Sequence, residues 1–113
     1  MSAPLMAALD GGRDEVRVAL SGDINGDADA AMAAVYARAV ELDAQVIVLD
    51  FHAVDYINST GIALIVRLLA DARRAHRSVH ARGLSAHYEE IFRITRLSDF
   101  MTLEAASVPT PSS

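Results

Sequence analysis

Val46-Ile47-Val48-Leu49-Asp50-Phe51 is a nearly continuous apolar, β-branched run, and it constrains the fold more than any other stretch. Six residues are too few for a helix of the usual length. An unbroken apolar run of this size is how a strand covered on both faces reads. A short link then leads to Tyr56-Ile57-Asn58-Ser59-Thr60-Gly61-Ile62. A helix follows from Thr60 on, its long apolar part running from Ile62 to about His76. Ile62, Ile65, Val66, Leu69 and Ala72 form one stripe at three- and four-residue spacing, widened by Leu64 and Leu68. Arg73, Arg74 and Arg77 load the last turns, as the helix dipole favours.

The flanking segments extend the same alternation. Leu5–Leu9 reads as a short strand and Asp10-Gly11-Gly12-Arg13 as a turn. Val16, Val18 and Leu20 alternate with polar or small residues, which marks the second arm of a hairpin. Gly22-Asp23-Ile24-Asn25-Gly26 reads as a polar loop. Asp27 or Asp29 opens an amphipathic helix to about Leu42, built on Ala31, Met32, Val35, Tyr36, Ala39 and Val40. Ser78–Leu84 reads as a strand, Ala86–Arg96 as a helix with Tyr88, Ile91, Phe92 and Ile94 on its apolar side, and Phe100–Leu103 as a last strand. The fold class is therefore α/β: a mixed sheet of four to five strands, an antiparallel hairpin followed by parallel strands, with three to four helices. The expected organisation is one domain over residues 1–107, with a loose Pro- and Ser-rich tail over 108–113.

Composition removes several functions. With a net charge of −5 and six aromatic residues among 113, the chain lacks the basic balance and interleaved aromatics of a nucleic-acid binder. It has no cysteine, hence no disulfide framework and no thiolate site. Every one of its ten basic residues is Arg. No Lys is available for a phosphate loop or a Schiff base. No targeting segment is visible, and the apolar block Gly61–Val66 is too short to span a bilayer. The expected setting is cytoplasmic, with no direct membrane insertion, no cofactor and no metal. His76 and His80 are four apart but are separated by an expected helix end.

Ser59 is the candidate functional residue. It stands where a helix begins, at the C-terminal end of a central strand, the place where open α/β sheets engage ligands and partners. Two readings stand side by side: an N-cap whose hydroxyl serves free backbone N–H groups, or an exposed hydroxyl that takes a phosphate read by another protein. A catalytic serine is a third, weaker reading. A nucleophile elbow has Gly two residues before the serine, and here that residue is Ile57.

The loop Leu20-Ser21-Gly22-Asp23-Ile24-Asn25, the block Ile47–Phe51 and the segment Ile57-Asn58-Ser59-Thr60-Gly61-Ile62 together resemble the STAS domain, over roughly residues 5–104. Its single-domain bacterial members are anti-sigma factor antagonists. The resemblance implies that Ser59 is phosphorylated by a histidine-kinase-like serine kinase that is also the anti-sigma factor. The unphosphorylated form would bind that kinase and release its target, and a PP2C-type phosphatase would reset the switch. The chain would then be a substrate of enzymes and not an enzyme. The implied partner-binding residues are Asp23, Ile24, Asn25, Ile57, Asn58, Ser59, Thr60, Gly61 and Ala63. Asn58 and Asn25 replace acidic residues common in the family, and the family's C-terminal helix is absent or very short. The alternative within the same resemblance is an accessory subunit of a transporter or of a stress-sensing complex.

Overall fold

The structure is a computed structural model that describes residues 3–104. Five strands form one sheet in the order β1-β2-β3-β4-β5, with β1 Met6–Gly11, β2 Glu15–Ile24, β3 Val46–Ile57, β4 Ser78–Arg82 and β5 Thr102–Leu103. β1 and β2 are antiparallel, and every later pair is parallel. The helices are α1 Asp29–Glu41, α2 Ser59–Arg74 and α3 Ala86–Ile94. The predicted order and class are those observed. The expected tail at 108–113 and any C-terminal helix beyond residue 104 lie outside the described residues.

Because the parallel strands follow one another in sequence order across the sheet, right-handed crossovers put all three helices on one face. That face carries Val16, Val18 and Leu20 of β2 and Ile47, Leu49 and Phe51 of β3. Met32, Val35 and Ala39 of α1, and Ile65, Leu68, Leu69 and Ala72 of α2, close over them. Phe92 of α3 meets Phe51 edge-on, with ring centroids 5.8 Å apart.

The expectation that Val46–Phe51 is covered on both faces holds at its centre, where Ile47, Val48 and Leu49 are all buried. Val48 is buried, but on the helix-free face, where Arg17 and His80 flank it in register. Among the described residues no helix lies on that face.

Two strands run further than the sequence indicates. β2 continues through the expected polar loop to Ile24, and β3 continues through the expected link to Ile57. The extensions pair with each other, Asp23 with Tyr56 and Ile24 with Ile57, after register shifts at Ala19/Ser21 and Gly22/Asp23. Gly22 sits at φ 93°, and a Cβ there would lie 2.4 Å from the Pro4 carbonyl oxygen. Only glycine accommodates both conditions, so the strand bends there without ending. Conversely, all three helices stop at or before their expected ends. Asp43, His76 and Arg96, just past each C-cap, are left-handed, which satisfies terminal carbonyls but terminates the helix.

Candidate functional site at the start of α2

The site is assembled where the extended ends of β2 and β3 meet the first turn of α2. The Ile24 carbonyl oxygen is its hinge. It accepts the Asn58 N–H at 3.2 Å, and it lies so close to Gly61 that a Cβ on that residue would come within 1.9 Å of it. Gly61 is therefore the device that lets a helix start directly against a strand end. On the other side, the Ile57 N–H donates to the Tyr88 hydroxyl at 3.0 Å, which ties the end of β3 to α3.

Capping is performed by Asn58, not by Ser59. The Asn58 Oδ1 accepts the Gly61 N–H at 2.8 Å, and its carbonyl accepts the Ile62 N–H at 2.9 Å. This corrects the N-cap reading of Ser59. Asn, Ser and Thr are all good caps; the one chosen is the first residue after β3, and β3 ends at Ile57. Ser59 is thus the first residue inside the helix, and it is exposed. Its hydroxyl is not needed to hold the helix. The N–H groups of Ser59 and Thr60 have no intrahelical acceptor, so negative charge arriving at this point meets two donors and the positive end of the dipole.

The preceding loop is capped in the same manner. Asn25 Oδ1 accepts the Asp27 N–H at 2.9 Å, opening a 3₁₀ turn over Gly26–Ala28 that runs into α1. Gly26 sits beside Thr60, whose methyl group would be 3.5 Å from an added Cβ. The structure therefore brings Asn25, Asn58, Ser59 and Thr60 to one end of the sheet.

The remaining implied contact residues divide. Ala63 is exposed, one turn along α2 from Ser59. Ile24 and Ile57 are core residues, 0% and 4% exposed, paired across the sheet. They position the loops and present no surface, a correction to their expected role in binding a partner. Gly61 is buried, and Asp23 is 8% exposed. Tyr56, more than half exposed on the same strand end, is the large side chain that the sequence reading passed over. Its outward direction follows from the extension of β3 to Ile57, which sets Tyr56 opposite buried Ile57.

Nucleophilic catalysis needs a base beside the hydroxyl, and the one histidine ring with a polar partner among the described residues is His80, which faces Glu104 at 3.2 Å. Among the described residues no cluster of three or more metal-binding side chains occurs, and no helix is long and apolar enough to cross a membrane.

The capping geometry gives a direct prediction. Asn58→Ala is expected to lower unfolding stability by about 1 kcal/mol, whereas Asn58→Asp, an equally good cap, leaves it nearly unchanged. Urea denaturation of both variants checks this.

Comparison with known proteins places the chain in a family. The model described as "Mlab, STAS domain" matches residues 7–104, nearly the whole chain. The protein belongs to the STAS domain family. No curated protein matches it. Among solved structures, SpoIIAA in its unphosphorylated form is similar with a TM-score of 0.70 at 14% identity, over 90% of each chain. An anti-sigma factor antagonist from Mycobacterium paratuberculosis gives 0.71 at 21%, over 95% of this chain and 92% of that one. The Bacillus cell fate determinant SpoIIAA in its phosphorylated form gives 0.67 at 17%, over 88% and 91%. At such identities the likeness establishes a shared fold.

Proposed function

We propose that the protein is a phosphorylatable docking module of the anti-sigma factor antagonist type. Its bare form binds an anti-sigma factor that is also a serine kinase, and phosphorylation of Ser59 releases that partner. A PP2C-type phosphatase restores the bare form. The chain is then a substrate and a binding partner, working in the cytoplasm, and not an enzyme itself.

One observation carries this reading. Ser59 is exposed at the first helical position while Asn58 caps the helix in its place. A hydroxyl so placed can be modified without loss of a structural hydrogen bond. The added group carries roughly −1.5 to −2 charges, which the helix N-terminus tolerates locally. Support also comes from SpoIIAA, whose unphosphorylated and phosphorylated forms resemble this fold to nearly the same degree. In this reading the switch acts through the surface around Ser59.

A second reading, the accessory subunit of a transporter or stress-sensing complex, is favoured by Asn25 and Asn58. Both are neutral, both stand where the resemblance has acidic residues, and both are occupied in capping. In this reading the chain docks through the same end of the sheet without needing a charge on Ser59.

The deciding experiment is incubation with ATP and the kinase encoded beside the gene, followed by mass spectrometry of the peptide spanning Ile57–Arg67. The expected result is one phosphoryl group on Ser59, absent in Ser59→Ala. Stable association without any modification would support the subunit reading instead.

A further inference from the structure

The far end of α2 carries an unexplained surface. Between its last two turns and the connection from α3 to β5 lies a groove of about 460 Å³, lined by Val66, Leu69 and Ala70 on one side and Leu97 and Phe100 on the other. Its lining is largely apolar, yet two of its large side chains stand open to solvent: Val66 is 46% exposed and Phe100 51%. Leu69 and Leu97 line the same groove but are each 3% exposed, so Val66 and Phe100 are the large apolar side chains a partner would meet.

The rim is basic. Arg73, Arg74 and Arg96 border the groove. Arg74 pairs with Asp71, and Arg96 pairs with Asp99. Arg73 pairs with no carboxylate among the described residues. Its guanidinium lies 5.1 Å from the centre of the Phe100 ring, a stacking contact that leaves its charge uncompensated. The chain as a whole is acidic, so an acidic segment is repelled by much of the surface and drawn to this rim.

We propose that this groove is a second docking surface, and that its occupant is an amphipathic segment of a partner protein with an apolar face and flanking carboxylates. The apolar face fills the cleft between α2 and Phe100, and a carboxylate meets Arg73. The surface does not rest on the phosphorylation of Ser59. Fourteen residues of helix separate Ser59 from Arg73, about 21 Å at 1.5 Å per residue. That exceeds the screening length of about 8 Å at physiological salt. Phosphate at one end of α2 therefore leaves the contact at the other end intact.

The test is a fluorescence titration of the full chain with two helical peptides, one with a leucine face flanked by glutamates and a twin with lysine for every glutamate. The glutamate peptide is expected to bind at least about tenfold tighter than its twin. Arg73→Glu and Phe100→Ser are each expected to weaken it by about tenfold or more, as loss of an anchor does. Ser59→Asp should leave this binding unchanged. Both substituted side chains are exposed, and unaltered circular dichroism melts confirm that the variants fold. Equal binding of the two peptides, no binding of either, or indifference to Arg73→Glu overturns the proposal. So does a dimer that dissociates on Phe100→Ser, which would make a second copy the occupant. Co-sedimentation with anionic phospholipid vesicles, lost in Arg73→Glu, would assign the groove to a membrane surface and equally overturn it.

Discussion

Ser59→Asp is expected to lower affinity for the proposed partner kinase by roughly two orders of magnitude or more, while Ser59→Ala binds as tightly as the unmodified protein and cannot be switched off. The helix terminus supplies two N–H groups and a dipole, so the isolated domain bears a carboxylate at this position with little cost. A partner packed over Ser59 must desolvate that charge without supplying a counter-ion. Such burial costs several kcal/mol, and about 1.4 kcal/mol corresponds to a tenfold change in affinity. Isothermal titration with the kinase measures the effect. Equal affinity of the Asp variant and the unsubstituted protein would remove the switch mechanism, even if Ser59 proved to be phosphorylated.

Gly61→Ala is expected to be the most damaging single-atom addition at the site. The new methyl group would stand 1.9 Å from the Ile24 carbonyl oxygen and 2.6 Å from its carbon. These are backbone atoms in the middle of the fold, and they cannot rotate away. The first turn of α2 must instead lift from the end of β2, straining the bond from Asn58 to Ile24. Overpacking of this kind costs about 3 kcal/mol or more, so the melting temperature should fall by roughly 10 °C. Ile24→Ala cannot relieve it, because the oxygen in the way belongs to the main chain. A double variant that melted at the temperature of the unsubstituted protein would overturn this account. Partner binding by Gly61→Ala should weaken as well, since the same displacement moves Ser59.

The alternation of strands and helices was legible because each element has its own apolar period: two for Val16, Val18 and Leu20, and three to four for Ile62, Ile65 and Leu69. Strand ends were not. His52–Ile57 carries exposed His52, Asp55 and Tyr56 and shows no clean alternation. What makes it a strand is pairing with Ser21–Ile24, a tertiary fact. The same pairing withdraws Ile24 and Ile57 into the core, although each sits among polar residues in sequence and reads locally as surface. The cap was ambiguous for a related reason. Asn58, Ser59 and Thr60 are all chemically competent, and only the end of β3 decides among them. The Arg73–Phe100 groove was illegible because it joins residues separated by a strand and a helix.

The division of labour between Asn58 and Ser59 bears on how such a protein diversifies. The amide fastens the helix; its neighbour is spared any duty in folding. Alanine, aspartate or threonine at position 59 should therefore leave thermal stability nearly untouched, and a lineage can tune, lock or discard the signal there without endangering the scaffold that displays it.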